Sequence, residues 1–149
     1  MLVELPSRRI AGLSVRTKNA DEMDFRAARI PGLWHRFYAD GIAAKIENRA
    51  DPHVTYGVYT SYASDVNGEY TLLVGAEGSG GEGLTVVDVP AQWYRAFQSR
   101  GQMPQAVIQG WQQVWEHFGP GDEQRAYTTD LELYDDRDPQ LVKLYIAVR

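Results

Sequence analysis

Two hydrophobic periodicities alternate along the chain, and their order predicts an α+β protein. Apolar residues recur every three or four positions from about Ile30 to Ile46 and again from about Pro104 to Phe118, which is the spacing of a helix with one buried face. β-Branched and aromatic residues dominate several other runs, as is typical of strands. The runs are residues 9–17, 56–59, 70–74, 93–100, 131–134 and 142–146.

The second helix carries the clearest of these patterns. Its apolar stripe consists of Val107, Ile108, Trp111, Val114, Trp115 and Phe118. The opposite side presents Gln105, Gln109, Gln112, Gln113 and Glu116. Gly119-Pro120-Gly121 follows at once and is expected to end the helix.

The chain also contains an internal repeat. Val3-Glu4-Leu5-Pro6 recurs as Val87-Asp88-Val89-Pro90, and each copy precedes an extended stretch, a helix and two strands. We therefore predict a single domain, residues 1–149, built from β-α-β-β units at about 1–77 and 84–149 that are related by a pseudo-twofold axis. The units should form one antiparallel sheet with both helices on one face and a ligand groove on the other face or between the halves.

A glycine-rich stretch, residues 75–83, joins the two units. It superficially resembles a phosphate-binding loop, but such a loop needs a helix directly after it. Leu84-Thr85-Val86-Val87 has the pattern of a strand instead, and the stretch itself carries Glu77 and Glu82. We interpret it as a flexible connector.

Composition narrows the function classes. The formal net charge of −5 argues against a broad phosphate-binding surface, and so against direct nucleic-acid binding. The absence of cysteine excludes disulfides and thiolate catalysis and fits a reducing compartment. The N-terminus shows no secretory signal, and no apolar run approaches the roughly 20 residues of a membrane helix. The expected location is the cytoplasm, away from the membrane.

The residues of metal and triad sites are scattered. His35, His53 and His117 do not have the spacing of metal ligands, and no cysteine is present to complete such a site. No Gly-x-Ser-x-Gly motif occurs, which disfavours hydrolysis by a catalytic triad. We expect neither a metal nor a cofactor.

Four tryptophans, nine tyrosines and four phenylalanines are many for this length, and aromatic residues beyond the needs of a core can line a ligand pocket. The pattern alone leaves their roles open. Trp34, Trp111 and Trp115 lie on helical stripes that would also fit core packing, and Trp93 lies in a strand that could present it to either face.

Glu132 is the charged residue of greatest interest. Strand alternation puts Leu131 and Leu133 on one face, expected to pack against the helices, and Glu132 with Tyr134 on the other. A glutamate in the middle of a strand either faces solvent or, among aromatic rings, can neutralise a bound cation.

The neighbouring strands bear on this choice. In the matching strand of the first half, Gly57 and Tyr59 should share a face, and a glycine opposite Glu132 would leave room for a ligand. By the same alternation, Tyr145 is expected on the Glu132 side.

The two-half pattern resembles the GyrI-like (gyrase-inhibitory-protein-like) family, the effector-binding domain of AraC-type and multidrug-sensing transcription activators. The resemblance spans essentially the whole chain. It rests on residues 3–6, 30–37, 57–59, 70–77, 89–91, Tyr94, Phe97, Trp111, Trp115, 130–134 and 144–148. It implies a hydrophobic groove between pseudo-symmetric units. It also implies that a glutamate on the seventh strand, here Glu132, pairs with lipophilic cations, and it matches Tyr145 to a pocket tyrosine.

The chain departs from this family in two respects. Gln92 stands where relatives often have glycine, and Met1 begins almost at the first strand, so that no helix-turn-helix module precedes it. We therefore expect a stand-alone binding domain, with a homodimer or a protein partner as open alternatives.

The resulting hypothesis is a small-molecule binding protein that takes up lipophilic, cationic compounds and is not an enzyme. Glu132 would supply the charge. The pocket walls would come from Trp34, Tyr59, Trp93, Trp111, Trp115, Tyr134 and Tyr145. Two alternatives remain: a hydrolase of small electrophilic metabolites, which the resemblance also allows, with Glu132 as general base, and a protein-interaction module with an exposed aromatic surface.

Overall fold

Eight strands form one antiparallel sheet that curls into a half-barrel, accompanied by three α-helices among the described residues. The computed structural model describes residues 1–119 and 121–149. The strands are β1 (Leu2–Leu5), β2 (Arg8–Lys18), β3 (Val54–Thr60), β4 (Glu69–Glu77), β5 (Thr85–Val89), β6 (Gln92–Arg100), β7 (Thr129–Asp135) and β8 (Leu141–Ala147). The helices are α1 (Asn19–Glu22), α2 (Ile30–Ala39) and α3 (Gln105–Phe118), and a 3-10 turn spans Ile42–Lys45.

The strand order is β1-β6-β8-β7-β3-β4-β2-β5, which puts β7 and β3 at the centre. If each strand of the first half is exchanged with its counterpart in the second half (β1 with β5, β2 with β6, β3 with β7 and β4 with β8), the same order results, read from the opposite edge of the sheet. Each half contributes four strands, one more than the predicted β-α-β-β unit, because Leu2–Leu5 and Thr85–Val89 are strands of their own. The order is compatible with a duplication, which stays a prediction.

Two short connections require the sheet to curl. β1 and β2 lie near opposite ends of the strand order, yet only Pro6 and Ser7 join them, and Pro90 and Ala91 similarly join β5 to β6. A flat sheet would separate such strands by several strand spacings of about 4.8 Å, which two residues cannot span. The two edges of the sheet therefore approach each other.

The helices pack against the face that carries Glu132, which corrects the predicted orientation of β7. Phe37 of α2 packs in one cluster with Leu72 of β4, and Val114 of α3 packs in another with Leu144 of β8. The strand registers put Leu72 and Leu144 on the same face as Glu132.

Leu131 lies on the opposite face of β7, where strand side chains form a cluster of their own within the curl. It is only 1% exposed, so both faces of the strand are buried. Alternation sorts residues into two sets but does not say which set the helices cover, and this is why the expectation for Leu131 and Leu133 was wrong.

The first predicted helix is interrupted. α2 ends at Ala39, and Gly41 adopts a left-handed conformation with φ of 62° before the 3-10 turn. Glycine accepts this conformation without the steric cost of a Cβ atom, so the apolar spacing up to Ile46 continues across a break. Pro31 lies in the first turn of α2, as expected.

α3 closely matches its predicted range. It ends at Phe118, and the Gly119 amide bonds to the Trp115 carbonyl. Pro120, part of the predicted stop signal, lies outside the described residues. Within the described ranges, no helix has the length and apolar character that crossing a membrane requires.

The glycine-rich connector predicted at residues 75–83 begins within a strand. β4 continues through Glu77, and Gly75 pairs with Gly12 on one side and with Tyr56 on the other. The segment between the strands β4 and β5 is therefore residues 78–84.

The close approach of Gly12 to β4 makes it a test of the sheet. A methyl group at Gly12 would lie 1.9 Å from the Val74 carbonyl oxygen, so Gly12→Ala is expected to lower the free energy of unfolding by about 2–3 kcal/mol. Gly32→Ala is the control, since the atom nearest to a methyl group there, the flexible Arg36 Nη1, lies 3.8 Å away. The control should be neutral or raise that free energy by up to about 1 kcal/mol. Urea denaturation followed by circular dichroism measures both, and equal stabilities would contradict the prediction.

Candidate functional site

Glu132 lies at the middle of β7 and is only 2% exposed. Its carboxylate accepts three hydrogen bonds from neutral donors. The Tyr59 hydroxyl and the Trp111 indole Nε1 donate to Oε2 at 2.7 and 2.6 Å, and the Tyr134 hydroxyl donates to Oε1 at 2.8 Å. Within the described chain Glu132 makes no ion pair, so no cation compensates its charge.

The register of β3 against β7 explains this geometry. Gly57 lies directly opposite Glu132, as the alternation predicts, and a Cβ atom there would lie 2.9 Å from Oε1. The missing side chain therefore leaves room for the carboxylate. Tyr59 and Tyr134 each lie two residues beyond this pair on antiparallel strands, so their hydroxyls reach the carboxylate from opposite directions.

Burial determines the protonation behaviour of this cluster. Loss of solvent raises the pKa of Glu132 above its ordinary value, and the hydrogen bonds from Trp111, Tyr59 and Tyr134 offset part of the rise. Burial and the adjacent carboxylate raise the pKa values of Tyr59 and Tyr134 well above their ordinary value. Both tyrosines therefore stay protonated and act as donors at neutral pH.

A cavity of about 330 Å³ lies next to the carboxylate. It is bounded by α3, the N-terminal end of α2 and the segment after β3, so elements of both halves contribute to it. Its aromatic lining consists of Tyr59, Tyr62, Tyr70, Trp111 and Trp115. Its aliphatic lining consists of Ile30, Pro31, Val66, Pro104, Val107 and Ile108. Besides Glu132, its polar lining consists of Asn19, Glu22, Asp65 and Arg125.

A second buried carboxylate, Asp130, lies two residues from Glu132 and is fully compensated. Arg125 Nη2 donates to its Oδ2 at 2.8 Å, Tyr62 donates to the same oxygen, and the Ala147 amide donates to Oδ1 at 2.8 Å. The Arg125 guanidinium also lies 4.4 Å from the ring centroid of Tyr127, within cation–π range. Arg125 is thus neutralised by Asp130 and does not serve Glu132.

The cavity brings together four of the residues proposed from the sequence. Glu132, Tyr59, Trp111 and Trp115 line it. Tyr134 contacts the carboxylate but is not among the lining residues of this cavity.

Trp34 lies beside Tyr134, with ring centroids 5.1 Å apart, and is likewise not among the lining residues. It supports one of the donors instead of forming a wall.

Trp93 and Tyr145 lie elsewhere, contrary to expectation. Trp93 is 49% exposed on β6 and pairs with Glu4 of β1. Tyr145 pairs with Leu131 and packs in the cluster on the opposite face of the sheet. The sequence pattern put Tyr145 on the Glu132 side, but it carries no information on how β8 pairs with β7. The observed pairing puts Tyr145 on the Leu131 side instead.

Tyr62, Tyr70 and Arg125 line the cavity but were not predicted. Tyr70 carried a usable signal, because it has the same strand parity as the buried Leu72 and Val74. Tyr62 and Arg125 lie in irregular segments, where no periodicity indicates the direction of a side chain.

A family model for Cass2, the integron-associated effector binding protein, matches residues 1–148. The chain belongs to this family. Cass2 membership makes it a relative of effector-binding folds, which supports small-molecule binding. The narrower GyrI-like or AraC-type assignment stays a prediction.

Two relatives are linked to transcriptional regulation. The chain is 31% identical to YobU of Bacillus subtilis, named as a candidate transcriptional regulator protein, over 99% of this chain and 96% of the relative. It is 34% identical to the transcriptional regulator BrlR of Pseudomonas aeruginosa, over 78% of this chain and 45% of BrlR. The chain thus matches less than half of the length of BrlR.

Solved structures share the Cass2 fold. The integron cassette protein VCH_CASS2 from the mobile metagenome of Vibrio cholerae superposes with a TM-score of 0.85 and 33% identity, over 100% of this chain and 95% of that one. The structure of SAV2435 bound to tetraphenylphosphonium has a TM-score of 0.78 and 20% identity, over 100% and 93% of the two chains. At 20% identity, this second likeness shows the fold alone.

The raised pKa of Glu132 makes stability depend on pH. As the pH rises above the ordinary glutamate pKa of about 4.3, the unfolded chain loses the proton while the folded chain retains it. The free energy of unfolding therefore falls until the pH passes the raised pKa of the folded state. Glu132→Gln removes this titration, so the difference between variant and wild type should shift in favour of the variant from pH 5 to pH 8.

Urea denaturation at the two pH values measures this shift. Asp88→Asn is the control, because the ion pair with Arg9 lowers the pKa of Asp88, and this carboxylate is ionised in both states throughout the range. Its difference from wild type should stay constant. A constant difference for Glu132→Gln as well would contradict an upward pKa shift.

Proposed function

We propose that the chain binds lipophilic organic cations in the cavity beside Glu132, whose carboxylate neutralises the charge of the ligand. One observation carries the proposal: a buried carboxylate with three neutral donors and no cation lies at an aromatic cavity. Membership of an effector-binding family supports a small-molecule ligand. The tetraphenylphosphonium bound to SAV2435 supports the choice of ligand class.

The energetics favour moderate affinity and broad selectivity. Burying about 300 Å² of apolar ligand surface contributes on the order of 7 kcal/mol, of which rigid-body and ordering costs remove a large part. Cation–π contacts with rings such as Tyr59 and Trp111 add about 0.5–2 kcal/mol each. The sum corresponds to micromolar dissociation constants. Shape and hydrophobicity dominate this sum, and Glu132 alone selects for positive charge.

The hydrogen bonds of Glu132 favour binding over hydrolysis. A carboxylate offers about four acceptor positions, and Tyr59, Trp111 and Tyr134 occupy three of them. These donors offset part of the basicity that burial gives the carboxylate, and they leave it about one acceptor position for a water. A carboxylate held in this way is better suited to pair with a cation than to activate water.

The position of the aromatic residues disfavours the protein-interaction alternative. Tyr59 is 8% exposed and Tyr70 is 4% exposed, and both line the cavity beside Glu132 and do not belong to an apolar surface patch.

Removing the charge of Glu132 tests the proposal. Glu132→Gln should weaken tetraphenylphosphonium binding by roughly 30-fold or more, because a desolvated charge pair is worth about 2 kcal/mol or more. The neutral triphenylphosphine oxide should lose less than about threefold. Tryptophan fluorescence titration measures both ligands. Asp65→Asn is the matched control, since this carboxylate also lines the cavity but is exposed to water, where screening makes its charge worth little.

Three results would contradict the charge role. They are equal losses for the cation and the neutral compound, an equal loss of cation affinity in Asp65→Asn, or absence of cation binding by the wild type.

Cation affinity should also depend on pH. A cation stabilises the ionised carboxylate, so tetraphenylphosphonium must displace a proton from Glu132 once the pH falls below its raised pKa. Affinity is therefore expected to weaken as the pH is lowered from 8 to 5. Glu132→Gln should abolish the dependence, and triphenylphosphine oxide should not show it. An affinity of the wild type that stays constant over this range would contradict the assignment.

A further inference from the structure

A second cavity, of about 390 Å³, lies at the other end of the central strand pair. Its walls include Phe37 and Tyr38 of α2, Met103 just before α3, and Tyr134 of β7. Tyr134 thus separates this cavity from the Glu132 carboxylate, much as Tyr59 adjoins the carboxylate at the first cavity.

The strand register shows how the two cavities differ in charge. Tyr59 pairs with Asp130, and Tyr134 pairs with Thr55. The end of the strand pair next to the first cavity therefore carries a carboxylate, which bonds to Arg125 without lining the cavity, whereas the end at the second cavity carries the neutral hydroxyl of Thr55. Each cavity is lined by one arginine, Arg125 in the first and Arg49 in the second, but only the first arginine has the carboxylate partner.

Arg49 keeps most of its hydrogen-bonding capacity unused. Its Nη2 donates to the Val54 carbonyl at 3.0 Å, whereas a guanidinium has five donors. Nη1 makes no hydrogen bond with the described residues and is not buried, so it is accessible to solvent. Within the described residues Arg49 forms no ion pair.

The other charged groups at this cavity are already engaged. Asp135 is held by two nitrogens of Arg137, at 2.9 and 2.6 Å. Asp136 bonds to His53 at 2.8 Å, and its side chain is 68% exposed, where water screens its charge. Among the charged side chains that line this cavity in the described chain, Arg49 is therefore the one without a side-chain partner, and so the one available to an anion.

We propose that the second cavity is a separate site for small aromatic carboxylates. The carboxylate of the ligand pairs with the guanidinium of Arg49, an arrangement whose planar geometry favours specificity. The ring of the ligand packs between Phe37, Tyr38 and Tyr134, which supply the apolar contact area typical of a ligand site. The protein then holds two sites of opposite charge preference on either side of one carboxylate cluster. This inference does not depend on cation binding at the first.

Introducing the missing carboxylate tests the second site without deleting Arg49. Thr55→Asp should neutralise Arg49 and weaken binding of 2-naphthoate at least tenfold, whereas the neutral Thr55→Asn should change it less than about threefold. Arg49→Met should cause a loss like that of Thr55→Asp, and Arg49→Lys should retain part of the affinity. The neutral 2-naphthamide should be insensitive to all four variants. Isothermal titration calorimetry measures both ligands, and circular dichroism checks that each variant is folded.

Distinct outcomes separate this proposal from cation binding at the first cavity. Saturating tetraphenylphosphonium should leave 2-naphthoate binding within about threefold. The proposal is overturned if 2-naphthoate does not bind the wild type at about 1 mM. It is also overturned if Thr55→Asp and Thr55→Asn bind 2-naphthoate equally, or if the cation displaces it completely. If tetraphenylphosphonium does not bind, only the proposal for the first cavity is contradicted. The Thr55 and Arg49 variants still test the proposal for the second cavity, because they are measured with 2-naphthoate.

Discussion

Burying a carboxylate beneath helices is energetically unfavourable, and the residues around Glu132 are arranged so that they stabilise one there. Removing an ion from water costs several kcal/mol even after relaxation, and here three neutral donors offset part of that cost in place of a cation. Each donor is fixed by its own packing: Tyr59 against Tyr70, Trp111 against Trp115, and Tyr134 against Trp34. The carboxylate is therefore held in one position before any ligand arrives, which reduces the ordering cost of binding.

The two buried carboxylates Asp130 and Glu132 differ in the groups that compensate their charge. Both are buried on the same face of β7, two residues apart. Asp130 bonds to Arg125 and to the Ala147 amide, and so ties the start of β7 to the end of β8. Glu132 has neutral partners only. The charge of Asp130 is therefore balanced within the protein, whereas that of Glu132 remains available to the ligand proposed above.

The curl of the sheet connects this chemistry to the fold. The two-residue links at Pro6-Ser7 and Pro90-Ala91 draw the sheet edges together, and strand side chains such as Leu131 and Tyr145 fill the interior of the curl. The two cavities described above lie on the helical face, at the two ends of the central β3–β7 pair.

Local patterns in the sequence were sufficient to predict most of the strands and the range of α3. These features depend on neighbours within one strand or one helix, where a period of two or 3.6 residues carries the information. The resemblance to effector-binding domains then directed attention to Glu132. Each of these conclusions rests on residues close in sequence or on a motif.

Only the tertiary structure decided which face the helices cover, which side Tyr145 takes, and that Tyr62 and Arg125 reach the cavity. Alternation gives relative sides within a strand, while the phase between strands depends on register across the sheet. Hydrophobicity favoured the Leu131 and Leu133 face for the helices, but the helices cover the face that carries Asp130 and Glu132. Irregular segments have no period at all, and the direction of their side chains follows from long-range contacts such as the bond between Arg125 and Asp130.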